Sequence, residues 1–387
     1  MAIRTHSRTL ASAAALTCVL LGAAQAPSAA AAEPASALPD LIKQLRLQEA
    51  PTPVREHKGW RVPKKLVVVG GLPPGVREQF LSASPGLQIA MVNDTPSAAK
   101  EAADADIVLG LTSPGGVCEP EIINGAKQLR WIHSMSAGVE RCMAIPSVIS
   151  RDVLVTNMRG VESAAIAEHA IAFALALARG IDTFVTDKNR GVWSRQDAQA
   201  TEMQVLDGKT MLVVGLGGIG TEVAKRANGL GMKVVATRNS GRTGPEFVSY
   251  VGLPAELLTL AKTADVIVNT APLTTETTGI FNAKFFAEMK SNAFFINVAR
   301  GGSVVTGDLL AALESGRIAG AGLDVVDPEP LPPNHPLWKA PNLIISPHVS
   351  SSSDLPREQR WMLAREQIRR YAAGEKMLSV VDLKREY

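Results

Sequence analysis

The sequence has little of what a disulfide-rich, metal-binding or nucleic-acid-binding protein needs. Only three of its 387 residues are cysteines, Cys18, Cys118 and Cys142, and no CxxC motif occurs. This number excludes a disulfide scaffold and leaves no cysteine metal site. A disulfide between Cys118 and Cys142 could form in an oxidising compartment, but we expect two unpaired thiols in the core instead. The formal net charge of only +3 gives no reason to expect a nucleic-acid partner.

The composition shows neither the bias of a disordered chain nor a membrane protein's long apolar runs. Hydrophobic residues make up 46% of the chain and charged residues 20%, which is an ordinary balance for a globular protein. The apolar run from Leu10 to Ala24 is too short for a stable membrane span. At this length the chain can form two domains with a sizeable core.

The N-terminal residues resemble a secretory signal. Basic residues precede the uncharged run from Leu10 to Ala24, and small residues dominate from there to Ala32. This order of a basic, an apolar and a small-residue segment is typical of a cleaved signal peptide. We therefore predict a signal peptide over residues 1–32 and an exported protein, periplasmic or secreted; it would be cytoplasmic if the segment is not a signal.

Two series of alternating strands and helices follow a Pro-, Ala- and charge-rich segment at 33–63, which we expect to be a tether or arm. Helices are predicted over Val161–Arg179, stopped by Gly180, and over Arg357–Ala373. This alternation is typical of an α/β protein with mostly parallel sheets. The predicted strands are 66–69, 87–92, 107–109 and 129–133 in the first series, and 211–214, 233–237, 266–269, 293–297, 320–325 and 343–346 in the second.

A glycine-rich turn follows the predicted strand 211–214 directly and opens a helix that runs to about Gly231. Such glycines permit a tight turn, close approach of a pyrophosphate and close packing of helix on strand. The N-terminus of the helix then offers free N–H groups to the phosphates. The dinucleotide-binding residues predicted here are Gly215, Gly217, Gly218, Ile219 and Gly220.

The end of the next strand favours NADP over NAD. An NAD site usually has an acidic residue there, about 20 residues after the turn, to bind the ribose 2′-hydroxyl. This chain has Arg238 at that place, followed by Asn239, Ser240 and Arg242. An arginine would bind a 2′-phosphate that a carboxylate would repel. We therefore predict NADP as the cofactor, with NAD possible.

Three chemically competent side chains follow the ends of later strands. Arg300 comes after the strand that ends at Asn297, Glu329 follows the strand to Val325, and His348 follows the last strand. In open α/β sheets the ligand crevice lies outside the carboxyl ends of the strands. We therefore expect these three groups on one edge, beside the dinucleotide.

With these motifs the chain resembles the D-isomer-specific 2-hydroxyacid dehydrogenase family over about residues 64 to 387. The arginines after the second nucleotide-domain strand are similar to those of its NADP-preferring glyoxylate and hydroxypyruvate reductases. The stretches that carry the resemblance are GLGGIG (215–220), NTAPLTTETTG (269–279), NVARGG (297–302), AGLDVVDPEP (321–330) and NLIISPH (342–348).

The resemblance implies two doubly wound Rossmann-like domains, with the nucleotide-binding domain inserted into the substrate domain. It also implies a homodimer. The implied bounds are 64–157 for the substrate domain, 158–347 for the NAD(P)-binding domain and 348–387 for a C-terminal return to the substrate domain.

The family also implies a role for each matching residue. His348 would be the acid/base of hydride transfer between NADP(H) and a small 2-oxo or 2-hydroxy acid. Glu329 would orient its imidazole and favour protonation, and Arg300 would bind the substrate carboxylate. Asp324 would lie beside the nicotinamide. Further cofactor positions are Ala271, Pro272, Thr277, Val298, Ala299 and Ser350, and the substrate wall is Leu111, Ser136, Ala137 and Gly138 together with Arg300.

Three other functions on the same fold remain open. Formate oxidation needs no general acid, so Glu329 argues against it. Phosphoglycerate oxidation is disfavoured because the chain ends straight after its last helix, without a regulatory extension. A non-catalytic NAD(P)-sensing or partner-binding protein is the alternative from a different class, and turnover of a small 2-oxo acid would separate it from an enzyme.

Overall fold

The first of two parallel sheets has five strands in the order β2-β1-β3-β4-β5. The computed structural model describes residues 37–196, 202–353 and 357–384, so the predicted signal peptide lies outside the described residues. The interior residues of the central strands are buried because helices cover both faces of the sheet. The strands are β1 Lys65–Val69, β2 Gln88–Val92, β3 Ile107–Gly110, β4 Trp131–Ser134 and β5 Leu154–Thr156.

Short helices connect these strands, and separate apolar clusters pack against the two faces of the sheet. Asp94 caps one of the helices by accepting a hydrogen bond from the Ser97 amide at 2.8 Å, which satisfies a free N–H group. The helices of this part are α1 Ala37–Gln44, α2 Val76–Ala83, α3 Thr95–Ala102, α4 Pro120–Gly125, α5 Glu140–Met143 and α6 Pro146–Ser150.

The second sheet has seven parallel strands in the order β12-β11-β10-β9-β6-β7-β8. The chain order reverses between β6 and β9, which is where open sheets of this kind bind a dinucleotide. Its strands are β6 Thr210–Val214, β7 Lys233–Thr237, β8 Tyr250–Gly252, β9 Val266–Asn269, β10 Phe294–Asn297, β11 Gly320–Leu323 and β12 Leu343–Ile345.

Helices again cover both faces of the second sheet, over two further apolar clusters. The long helix α7 ends at Gly180, whose φ of 60° is the left-handed conformation that glycine adopts without strain. The helices are α7 Ser163–Arg179, α8 Ile181–Arg190, α9 Gly218–Gly229, α10 Leu257–Ala261, α11 Ala283–Glu288, α12 Thr306–Glu314 and α13 Arg357–Ala373.

The C-terminal part returns to the first sheet, as the inserted-domain topology requires. The Tyr371 ring of α13 stacks on Trp131 of β4 with ring centroids 4.9 Å apart, and Val380 forms a bridge with Thr156 of β5. The fold class predicted from the sequence is thereby confirmed. The prediction omitted β5 and β8, each of which has only three residues and little periodic pattern.

The segment expected to be a tether or arm is folded from residue 37 onward. Leu41 and Val54 are buried at 5% exposure each, in the apolar cluster that also includes Tyr371 and Met377. In the described part of the chain, no single helix is long and apolar enough to cross a membrane; α7 and α8 reach that length and composition only as a pair bent by 71°.

The expectation of two unpaired thiols is wrong. Cys118 and Cys142 are joined in a disulfide, with Cα atoms 4.8 Å apart. Both residues are buried, at 2% and 0% exposure. Spacing along the chain could not decide the pairing, because it depends on how the segment before α4 packs against α5 in the apolar cluster that contains both cysteines.

Candidate active site

The three predicted catalytic residues lie at the carboxyl ends of adjacent strands. Arg300 follows β10, Glu329 lies beyond β11 and His348 follows β12, and these strands are paired in parallel. Because parallel strands end at the same edge, the fold brings together residues that are far apart in sequence. The expected clustering on one edge is what the structure shows.

His348 and Glu329 form a hydrogen-bonded pair, with 2.9 Å between Nδ1 and Oε2. The hydrogen bond to Glu329 raises the pKa of His348, while partial burial and the Arg300 charge oppose the rise. Burial would raise the pKa of Glu329, but the hydrogen bond and charge of His348, the Val326 amide and the Arg300 charge together hold that pKa below its usual range. The pair therefore favours the imidazolium–carboxylate state, and Nε2 is the ring nitrogen left to face a ligand.

Asp324 holds the loop that carries His348. Its carboxylate accepts hydrogen bonds from Ser346 Oγ at 2.6 Å and from the amides of Val349 at 2.9 Å and Ser350 at 3.0 Å. Its carbonyl oxygen accepts the His348 amide at 2.8 Å, which supports the left-handed φ of 53° at His348. The Asp324 side chain is fully buried, so the structure gives it a supporting role; contact with the nicotinamide stays a prediction.

Arg300 contacts the loop predicted to bind the substrate. Its Nε lies 3.1 Å from Glu140 Oε1 and its Nη2 3.4 Å from Glu140 Oε2. Its Nη1 donates to the Ala299 carbonyl oxygen at 2.7 Å. A side chain on Gly138 would collide with the guanidinium, so the glycine is what lets loop and arginine meet.

The predicted substrate loop presents free backbone donors. Asn157 Nδ2 donates to the Ala137 carbonyl oxygen at 2.7 Å and Thr112 Oγ1 to that of Gly138 at 2.9 Å. No acceptor among the described residues takes the Ala137 or Gly138 amide. Ser136 donates its amide to Ser134 Oγ at 3.0 Å, and Leu111 is 50% exposed. A carboxylate beside Arg300 would therefore meet both a cation and free amides.

The glycine-rich turn has the form that a pyrophosphate requires. Gly215 has a φ of 94°, and a Cβ there would lie 2.7 Å from Ala271 Cα. A Cβ on Gly220 would overlap the Gly215 carbonyl oxygen, so close packing of helix on strand needs glycine at both places. Helix α9 begins at Gly218, and its first amides face outward from the turn.

Of the residues predicted to bind a 2′-phosphate, Arg238 lies beside the glycine turn and Arg242 does not. Arg238 lines a cleft of about 620 Å³ together with the glycine turn. Its guanidinium donates to Ser240 Oγ at 2.8 Å and to the Thr243 carbonyl oxygen at 2.9 Å. Arg242 instead binds Glu256 at 2.7 Å and Tyr250 at 2.9 Å. Asn239 is exposed beside Ser240.

The other predicted cofactor positions surround the same sheet edge. Thr277 Oγ1 donates to the Pro272 carbonyl oxygen at 2.7 Å and shapes the loop after β9. Val298 and Ala299 are buried after β10. Ser350 is buried at 5% exposure on Asp324. With the glycine cradle, the helix N-terminus and Arg238, these residues fit a dinucleotide.

Sequence reasoning missed Glu162 and Arg360 near this edge. Their ion pair of 2.6 Å joins the start of α7 to α13. Burial raises the pKa of Glu162, against the opposing charges of Arg360, Arg300 and His348. The pair spans nearly 200 residues of chain, so no local motif signals it.

Comparisons with known proteins agree with this geometry. The sequence model described as "D-isomer specific 2-hydroxyacid dehydrogenase, NAD binding domain" matches residues 171–350. The glyoxylate reductase of Thermofilum pendens is 34% identical over 258 residues, which are 66% of this chain and 76% of that protein. A D-3-phosphoglycerate dehydrogenase of Archaeoglobus fulgidus is 34% identical over 68% of this chain, but the chain spans only 49% of its length.

A solved structure shows the same likeness. The NADPH-dependent glyoxylate/hydroxypyruvate reductase of Sinorhizobium meliloti, in complex with NADP and sulfate, superimposes with a TM-score of 0.70 at 28% identity. The match covers 84% of this chain and 100% of that chain. Sequence and fold therefore agree on one family.

Proposed function

Since the chain belongs to the D-isomer specific 2-hydroxyacid dehydrogenase family, whose members are NAD(P)-dependent oxidoreductases, we propose that it reduces a small 2-oxo acid with NADPH. Glyoxylate and hydroxypyruvate are the substrates named for similar proteins. The observation that carries the proposal is the His348–Glu329 pair of 2.9 Å on the same sheet edge as Arg300 and the glycine turn.

Each residue of the pair has a part in the proton transfer. When bound, NADPH supplies the hydride to the carbonyl carbon of the substrate. Imidazolium Nε2 of His348 gives its proton to the carbonyl oxygen, which becomes the hydroxyl of the product. Glu329 fixes the ring through Nδ1 and stabilises its positive charge until the proton leaves.

Arg300 and the substrate loop orient the acid. The guanidinium binds the substrate carboxylate, and the free amides of Ala137 and Gly138 extend that anion site. This would orient the substrate carbonyl group relative to His348. Positioning of this kind lowers the entropic part of the barrier.

A panel of 2-oxo acids tests the proposal. Glyoxylate, hydroxypyruvate, pyruvate and phosphohydroxypyruvate would each be offered with NADPH and with NADH, and formate with NADP and NAD. We expect reduction of a small 2-oxo acid, faster with NADPH. Cofactor binding without turnover of any of these acids would instead favour an NAD(P)-sensing protein.

We also propose that the protein is exported, with cleavage near Ala32. The disulfide between Cys118 and Cys142 supports this location, since such bonds persist in oxidising compartments. N-terminal sequencing of the protein from cell fractions is the test. An uncleaved cytoplasmic chain would contradict export and leave the enzymatic proposal untouched.

A homodimer is proposed through α8 and the residues after it. Apolar side chains are exposed along this surface: Ile181 by 48%, Val185 by 52% and Trp193 by 95%. Exposed apolar patches are typical of protein–protein interfaces. Light scattering should give a dimer that Val185→Glu dissociates, whereas Ile149→Glu on α6, also 49% exposed, should leave it intact; a wild-type monomer would refute the proposal.

A further inference from the structure

The arm before the first sheet is fixed in place and lines the cofactor cleft. The Ala50 amide donates to the Met377 carbonyl oxygen at 2.8 Å, and the Ser379 amide to that of Gln48 at 2.9 Å. Glu49 adds an ion pair of 2.6 Å with Arg370. Arm residues 45–46 and 48–51 share the cleft of about 620 Å³ with Gly217, Gly218 and Arg238. The arm is therefore one wall of the cleft that the glycine turn also lines.

The arm also packs on the segment that links the two sheets. Gly160 has a φ of 99°, and a Cβ there would lie 2.5 Å from the Leu45 carbonyl oxygen. The Arg159 amide next to it donates to Asn157 Oδ1 at 3.2 Å. The backbone that carries Arg159 is thus held from two sides, in a position that only glycine at 160 allows.

Arg159 extends over the phosphate-binding turn. Its Nη2 lies 3.5 Å from the point where a Cβ of Gly217 would stand, which is the side from which a pyrophosphate approaches the turn. Among the described residues, no carboxylate or carbonyl group binds its guanidinium within hydrogen-bonding distance. A cation therefore faces the N-terminus of α9 with its donors available.

The charge around the cleft favours a phosphate-rich ligand. Arg46, Arg159 and Arg238 all line it. Of the carboxylates on the same wall, Glu49 is paired with Arg370 and Asp382 accepts the Lys384 amide at 2.9 Å. Three guanidinium groups around a glycine turn form a strong anion site.

We propose that Arg159 binds the cofactor pyrophosphate from across the cleft, and that the arm with Arg46 closes the outer side of this phosphate site. The inference rests on the proposed function, because it assumes that NADP(H) binds at the glycine turn. It divides the phosphate contacts between two arginines: Arg238 for the 2′-phosphate and Arg159 for the pyrophosphate. NADPH and NADH both contain the pyrophosphate, but only NADPH has the 2′-phosphate. Loss of Arg159 should therefore weaken the binding of both cofactors, whereas loss of Arg238 should weaken that of NADPH alone.

Equilibrium binding to the full-length protein tests Arg159. In Arg159→Gln, the dissociation constants of NADPH and NADH should both rise by about 10- to 100-fold, as for loss of a charged hydrogen bond, and their ratio should stay unchanged. Arg159→Lys should restore part of the affinity, because it keeps the charge without the planar fork. Arg77→Gln, which changes another exposed arginine, on α2, is the matched control and should bind as the wild type does.

A fragment without the pyrophosphate sharpens the assignment. Adenosine 2′-monophosphate should bind Arg159→Gln as it binds the wild type, and should lose affinity in Arg238→Asp. Equal affinity of Arg159→Gln and wild type for NADPH would overturn the proposal. So would a loss confined to NADPH, which would place Arg159 at the 2′-phosphate instead.

The arm has its own readouts. Arg46→Gln should weaken NADPH binding by about two- to five-fold, as expected for one exposed charge, while Lys43→Gln on the same arm but outside the cleft should not. Hydrogen exchange of the Ala50 and Ser379 amides should slow when NADPH binds, more than in α3. No slowing at these amides, or an effect of Lys43→Gln equal to that of Arg46→Gln, would show that the arm is not part of the site.

The failure of this inference can be distinguished from the failure of the proposed function. If the wild type does not bind NADP(H), the proposed function is wrong. If the wild type binds NADP(H) and the Arg159 and Arg46 variants bind it equally well, only this inference is wrong.

Discussion

The Arg300 guanidinium is bound by the Glu140 carboxylate, with Nε and Oε1 3.1 Å apart. Glu140 begins α5 beside the first sheet and Arg300 follows β10 of the second, and both side chains are about one third exposed, at 32% and 34%. Glu140 thus offers Arg300 an internal carboxylate where the proposed substrate would bring its own. A substrate has to share or displace this contact, so Glu140 should weaken binding of the acid.

Replacing Glu140 by glutamine should therefore lower the KM for the 2-oxo acid by about two- to five-fold, which is the range of a partly exposed ion pair. Because the amide keeps the shape of the loop, kcat should change little. Steady-state kinetics at saturating NADPH measure both constants. Glu121→Gln on α4, which is exposed, serves as the control.

A higher KM in Glu140→Gln would contradict this reading. It would mean that Glu140 holds Arg300 in the orientation that binds the substrate, and that its role is to support the arginine. The sign of the change in KM separates competition from support.

The pH dependence of reduction should follow the His348–Glu329 pair. Reduction needs the imidazolium, and Glu329 raises the pKa of His348, so activity is present below that pKa and lost as pH rises through it. In Glu329→Gln the raising interaction is lost, and the falling limb of kcat/KM should move to lower pH. A pH profile of both proteins with the same 2-oxo acid measures the shift; an unmoved limb would mean that another group titrates.

Removal of the imidazole should abolish most of the turnover and leave cofactor binding intact. His348→Ala should lose about 10²- to 10⁴-fold in kcat, the usual contribution of a general acid. NADPH titration should give the wild-type dissociation constant, because the imidazole acts in proton transfer and not in cofactor binding. His335→Ala, in a loop after Pro332, is the control. Near wild-type rates in His348→Ala would refute the acid/base assignment.

Cofactor preference should depend on Arg238 and be insensitive to Arg242. Arg238→Asp replaces the cleft-lining cation by a carboxylate that repels a 2′-phosphate and can bind a 2′-hydroxyl. The NADP/NAD ratio of kcat/KM should fall by about 10- to 100-fold, as a charged hydrogen bond is lost. Arg242→Asp should leave the ratio near its wild-type value, since Arg242 binds Glu256 at 2.7 Å. An unchanged ratio in Arg238→Asp would show that Arg238 does not bind the 2′-phosphate.

The parts of the site that follow from strand order could be predicted from the sequence. The glycine turn, Arg300 and His348 each stand just after an apolar strand, and parallel strands end at one edge. Glu140 and Arg159 could not be found this way, because their contacts depend on how one sheet faces the other. Asp324 shows a second limit: its position was predictable, but its hydrogen bonds to the His348 loop were not.

The same limit applies to the arm and to the cysteines. The composition of residues 33–63 is typical of a linker, yet buried Leu41 and Val54 anchor the arm to the C-terminal tail. Its partners in that tail, such as Arg370 for Glu49, lie more than 300 residues away, beyond the reach of any local pattern. Cys118 and Cys142 likewise meet only because the segment before α4 and helix α5 pack into one apolar cluster.

Reduction of that disulfide should measurably destabilise the protein. The bond closes a loop with a sequence separation of 24 residues, and cross-links of this length contribute about 3 kcal/mol by constraining the unfolded chain. A reducing agent should therefore lower the melting temperature of the wild type by several degrees. The double variant Cys118→Ala/Cys142→Ala should melt at a similarly reduced temperature and no longer respond to the agent, since no bond is left to break. A wild type whose melting temperature is indifferent to reduction would show that the bond does not form in solution, and would also remove the support that it lends to export.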